Sequence, residues 1–118
     1  MKKSKVIELG KKLLKKHSLE DWEITVGELE AYLINPVFAG CNYEYKEIRI
    51  NRDFIALMIE KDVRGAILHE IAHAILRAPD KSKEFQKLCK KIKAPLTQDD
   101  VMSPRRRQEF IKSFWGIN

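Results

Sequence analysis

The stretch Ile67-Leu68-His69-Glu70-Ile71-Ala72-His73-Ala74-Ile75-Leu76 decides how the chain is read. It is apolar almost throughout and holds neither Gly nor Pro. It lies inside a helical pattern running from about Asp62 to Arg77. Residues four apart share a helix face, so His69 and His73 can point at one metal ion. Neutral imidazole nitrogens suit Zn²⁺, which takes N and S donors in tetrahedral sites. Glu70 stands one residue from the first histidine, within reach of a water on that metal. The metal lowers the water's pKa toward ~7, and Glu70 as general base takes the proton. A merely solvated helix would not carry apolar flanks on both sides, nor Ala72 and Ala74, which are small enough for close packing.

The rest of the chain supplies strands before this helix and helices after it. Residues 4–17 place Val6, Leu9, Leu13 and Leu14 at helical spacing with lysines between them. Trp22-Glu23-Ile24-Thr25-Val26 alternates apolar and polar residues, a strand pattern led by a core tryptophan. The stretch from Glu28 to Pro36 reads equally as short helix or loop. Ala39-Gly40-Cys41-Asn42-Tyr43 and Lys46-Glu47-Ile48-Arg49-Ile50-Asn51 read as a hairpin turning near Glu44-Tyr45. A helical pattern begins at Asp53 with Ile55, Leu57, Met58 and Ile59. Pro79 closes the central helix, because the residue before a proline avoids helical geometry. A further helix covers residues 81–93, with Phe85, Leu88 and Ile92 on one face. Ser103-Pro104 is a helix-start signal, Ser as cap and Pro in the first turn, leading into Arg105–Trp115.

Composition bounds the function. The chain has 118 residues, 44% hydrophobic and 34% charged, enough for one modest core. No apolar run approaches the ~20 residues of a membrane span, and no signal-peptide pattern follows the basic start. A cytoplasmic, monomeric protein is the expectation. Cys41 and Cys89 alone cannot build a disulfide scaffold or a zinc ribbon, and both read as reduced core residues. The net charge of +6 is unevenly spread: +6 over residues 1–16, −6 over 17–80 and +6 over 81–118. Basic ends suit a polyanion such as DNA through phosphate neutralisation. Arg105, Arg106, Arg107 and Lys112 are the candidate nucleic-acid contacts. The competing reading is a C-terminal helix docked by Phe110, Ile111, Phe114 and Trp115, its arginines solvated.

Over about residues 5–92 the chain resembles the SprT-like metallopeptidase domain, the zincin module of Spartan-type proteases. The resemblance rests on the opening helix, the Trp22 strand, the Gly40 strand, the strand ending in Ile48-Arg49-Ile50-Asn51, the His69-Glu70-Ile71-Ala72-His73 motif and the aromatic Phe85 downstream. It implies an α+β fold with a small mixed sheet of about three strands packed on helices that include the HExxH helix. It implies one catalytic zinc and endopeptidase activity on polypeptides, often proteins attached to DNA. Residues 1–93 then form the metallopeptidase core, and 94–118 a connector and basic helix docked on it. One departure matters. The family supplies a third histidine about four residues before the aromatic, and Lys81 stands there. A carboxylate is the natural replacement: Asp80 first, Glu84 second. Against these stand ordinary helix-start roles, Asp as cap and Glu in the first turn. The strand ending at Asn51 is the expected rail for an extended substrate, and Tyr43 or Tyr45 could border the cleft. A second reading follows from the missing histidine: a catalytically inactive fold kept as a nucleic-acid or protein binding module. A third is a metal-dependent hydrolase acting on something other than peptides.

Overall fold

Four α-helices and a three-stranded sheet make up the computed structural model, which describes residues 1–29 and 37–115, with side chains as far as residue 113. Helix α1 (Lys3–Lys16) buries Val6, Leu9, Leu13 and Leu14, the stripe its periodicity dictates. Gly10 is buried too. A Cβ there would stand 2.4 Å from Ile24 Cγ1, so the close approach of α1 to the sheet depends on a residue with no side chain.

Strands β1 (Glu23–Gly27), β2 (Ala39–Asn42) and β3 (Glu47–Asn51) are ordered β1-β3-β2. β3 runs parallel to β1 and antiparallel to β2. The register sets Ile48 between Ile24 and Cys41, and Ile50 between Val26 and Ala39. Alternation therefore gives one apolar face, which α1 and α2 cover. Arg49 and Glu47 lie on the other face and pair with each other at 3.1 Å. The β2–β3 turn is the expected one. Asn42 Oδ1 accepts from the Tyr45 amide at 3.0 Å, and Lys46 takes the left-handed conformation.

The helix expected from Asp53 shrinks to a 3₁₀ turn at Ile55–Leu57. Phe54, Ile55 and Met58 are all buried, and Met58 and Ile59 are extended to carry the chain to the next helix. Apolar spacing alone did not distinguish that tight turn from a helix. Helix α2 (Glu60–Leu76) carries the histidines. Its first turn is closed by Asp62 Oδ2, which accepts from the Ile59 amide at 2.9 Å. Helix α3 (Lys83–Ile92) is capped by Ser82 Oγ, which accepts from the Phe85 amide at 3.1 Å.

α2 and α3 end alike. Arg77 and Lys93 are left-handed, with φ of 50° and 59°, and each is followed by Ala-Pro. Helix α4 (Pro104–Trp115) starts as expected, Ser103 Oγ accepting from the Arg106 amide. It docks through Phe110, whose ring meets Phe38 and Phe54 edge-on at 5.4 Å each. The segment before it carries a second 3₁₀ turn, Gln98–Val101, and buries Val101 and Met102 in the same core. Residues 30–36, where short helix and loop were both open, lie outside the described residues. So do the side chains of Phe114 and Trp115. Among the described residues no helix is long and apolar enough to cross a membrane.

Candidate active site

The site grows from the middle of α2. Its buried flanks, Ile67, Leu68, Ile71 and Ala72, fix the helix rotation and turn His69 and His73 the same way. His69 is almost wholly buried and His73 partly exposed. Phe85 on α3 stacks on the His73 ring at 4.2 Å and meets the His69 ring edge-on at 5.2 Å. One buried phenyl group thus wedges both imidazoles.

The two helix endings do the rest. His73 Nδ1 lies 2.8 Å from the Ala78 carbonyl, in the segment that terminates α2. His69 Nδ1 lies 2.7 Å from the Pro95 carbonyl, in the segment that terminates α3. A carbonyl only accepts, so each Nδ1 carries the proton and each Nε2 is turned toward Asp80. This is how metal-binding imidazoles are held in tautomer and orientation. Pro95 is seated by Gly65, where a Cβ would come within 3.2 Å of its ring. Burial holds the His69 imidazole below the ordinary histidine value, outweighing the Pro95 carbonyl and Asp80.

Asp80 closes the arrangement from the α2–α3 loop. Its Oδ1 lies 2.7 Å from His73 Nε2 and 3.4 Å from His69 Nε2. All three donor atoms fall within 4.8 Å of one another. A tetrahedral Zn²⁺ with bonds of ~2.0–2.2 Å sets its ligand atoms roughly 3.3–3.6 Å apart. Two imidazoles and one carboxylate at this spacing fit such an ion by donor chemistry, and the shortest separation is that of a hydrogen bond. Glu84 is exposed on the first turn of α3 and outside this group.

Glu70 is buried beside the triplet. Burial, reinforced by the negative charge of Asp80, pushes its carboxyl up to about 8, against a lowering hydrogen bond from Gln98. Gln98 escapes a reading by motif because it sits in the loop between α3 and α4. Its Nε2 donates to Glu70 Oε2 and to the Ala39 carbonyl, both at 3.2 Å. Its Oε1 accepts from the Phe38 amide at 3.0 Å.

With this geometry in view, two solved structures are informative. The crystal structure of the metallopeptidase zymogen of Methanocaldococcus jannaschii jannalysin superposes with a TM-score of 0.59 at 14% identity, covering 94% of each chain. That of the metallopeptidase zymogen of Pyrococcus abyssi abylysin gives 0.57 at 15%, covering 96% of this chain and 97% of the other. The chain has the fold of these archaeal metallopeptidase zymogens. No protein-family model matches the sequence, and no curated protein does.

Within that metallopeptidase fold the other candidate residues divide. The strand expected as substrate rail is β3, and β3 is central, paired on both sides. That expectation is corrected: among the described residues β2 is the edge strand beside α2. Tyr43 follows β2, half-buried, with the Arg77 guanidinium 5.2 Å above its ring. Tyr45 is exposed on the hairpin turn. Cys41 faces the core side of β2, and burial drives its thiol up to about 12. Cys89 packs with Ala72 and Phe85 behind the histidines.

Of the basic C-terminal cluster, Arg106 pairs with the buried Asp62 of α2, and Arg107 pairs with Asp99 at 3.0 Å. Arg105 is exposed beside Glu109 at 3.5 Å, and Lys112 is exposed. Only Arg105 and Lys112 of the four therefore face outward without a partner on another element, among the described residues.

Proposed function

We propose that this chain is a metal-dependent endopeptidase in which His69, His73 and Asp80 hold zinc and Glu70 manages the proton. The observation that carries the reading is the convergence of three donor atoms, two from α2 and one from the α2–α3 loop, beside the buried Glu70 in a metallopeptidase zymogen fold. When bound, the metal supplies an activated water and polarises the scissile carbonyl.

The chain's own residues do the remainder. Glu70 takes the proton of the attacking water and returns it to the leaving amine nitrogen. Its buried carboxyl lies beside the donor set, where one group can serve both transfers. Asp80 and the carbonyl-anchored imidazoles hold the donor set in place. The outer edge of β2 offers main-chain groups to an extended peptide, so the substrate is a polypeptide lying beside α2. The SprT-like assignment, with DNA-associated proteins as substrates, rests on the sequence resemblance.

The test is cleavage of a mixed quenched-fluorescent peptide library by zinc-loaded wild type and Glu70→Gln. Wild type is expected to cleave. The variant is expected to keep its zinc and lose at least about a hundredfold in rate, the scale of general-base catalysis. A zinc-loaded wild type that cleaves nothing, or a variant as fast as wild type, would overturn the proposal.

A further inference from the structure

The Gln98 side chain bonds α2 and the edge strand at once, and the endopeptidase reading gives that contact a consequence. Both of its polar atoms are used. Oε1 accepts from Phe38 N, while Nε2 gives one hydrogen to Ala39 O and the other to Glu70 Oε2. The amide's orientation follows from its partners. The two oxygens must face Nε2, and the Phe38 N–H must face Oε1. Among the described residues Gln98 is the side-chain hydrogen-bond partner of Glu70. A buried carboxylate held by one donor is held in the direction that donor sets.

The strand end of the contact is equally specific. Asn51 N donates to Phe38 O, so Phe38 opposes Asn51 and turns its carbonyl toward β3. Main-chain direction alternates along an antiparallel strand, so Ala39 and Cys41 turn their groups to the outer edge. Gln98 covers the Ala39 carbonyl, which leaves the Ala39 amide and the outward groups of Cys41 to a substrate strand.

We infer that Gln98 is a positioning residue for the proposed peptidase reaction. Its carboxamide aims the Glu70 carboxylate at the water site and sets where substrate pairing along β2 begins. The inference rests on the peptidase reading. It predicts a split in the kinetic constants that a structural role would not produce. Removing the amide should misdirect Glu70 and lower kcat. It should also uncover the Ala39 carbonyl, lengthening the pairing edge, so KM should not rise.

The experiment is steady-state cleavage of one library-derived peptide by zinc-loaded wild type, Gln98→Ala and Gln98→Glu, with zinc content and thermal midpoint measured on each. Gln98→Glu keeps the size of the side chain and can still accept from Phe38 N, but an ionised carboxylate cannot donate to Glu70. It therefore serves should the alanine variant fold poorly. The expected result is one zinc per chain and a fall in kcat of about tenfold or more, with KM unchanged or lower. A kcat within twofold of wild type in a folded, zinc-loaded variant would overturn the inference while leaving the peptidase reading intact. So would a loss expressed wholly in KM. An inactive zinc-loaded wild type would overturn both.

Discussion

Glu70 shows how burial decides a residue's chemistry. Its folded carboxyl sits near 8, raised first by desolvation and then by Asp80. In the unfolded chain it returns to the ordinary glutamate value, about 4.3. The sign of the linkage follows. Below pH 4 both states hold the proton and Glu70 contributes nothing to pH dependence. From there to about pH 8 the unfolded state releases its proton while the folded state keeps it, so rising pH destabilises the fold. Glu70's contribution to the stability of the metal-free protein should fall between pH 5 and 8, against the opposite contribution of the lowered His69 imidazole, so in urea titrations Glu70→Gln should shift the slope over that range toward stabilisation with rising pH. A variant whose slope matches wild type would contradict the burial argument. The histidine pair and Glu70 were legible because helical spacing alone puts His69 and His73 on one face. Gln98 was not, because nothing local marks a loop glutamine whose partners lie 28, 59 and 60 residues away.

At the scale of elements, local pattern predicted α1, the β2–β3 hairpin, α2, α3 and the start of α4. Each carries its own signal: an apolar stripe, alternation, a Ser cap or a terminating proline. Strand order was not local. β1 and β2 do not pair, and β3, the last strand in sequence, lies between them. The proposed substrate edge is therefore β2 and not β3. The α1–β1 contact offers a direct check. Gly10→Ala forces Ile24 aside, because the new Cβ meets Ile24 Cγ1 at 2.4 Å. Overpacking of this kind costs about 1–3 kcal/mol. Chemical denaturation should show that loss, with zinc content unchanged because the site lies on other elements. Gly10→Ala with unaltered stability would mean that α1 packs less closely than described.

Across the whole molecule, the segment after α3 is bound into the fold that carries the site. Pro95 orients His69, Gln98 holds Glu70, Val101 and Met102 enter the core, and Phe110 completes an aromatic trio. Arg106 adds an ion pair to Asp62, whose side chain is 2% exposed against 33% for the arginine. Arg106→Ala leaves that carboxylate with the Ile59 amide as its remaining bond. The loss should be about 1–3 kcal/mol, the scale of a hydrogen bond to a buried charge. The reciprocal control is the Asp62→Asn, Arg106→Ala double variant, which should recover part of it. No recovery would place the arginine's contribution elsewhere. The sequence alone left these arginines open between a polyanion contact and a solvated helix face. Their ion pairs are long-range, and no charge pattern within the C-terminal segment points to Asp62.

The central claim is a metal held by His69, His73 and Asp80, and elemental analysis after zinc reconstitution tests it most directly. One zinc per chain is expected in wild type and in Glu84→Ala. His69→Ala and His73→Ala should bind none, and Asp80→Ala should be strongly weakened. A wild type without zinc would contradict the account, as would an Asp80→Ala variant that binds zinc as wild type does.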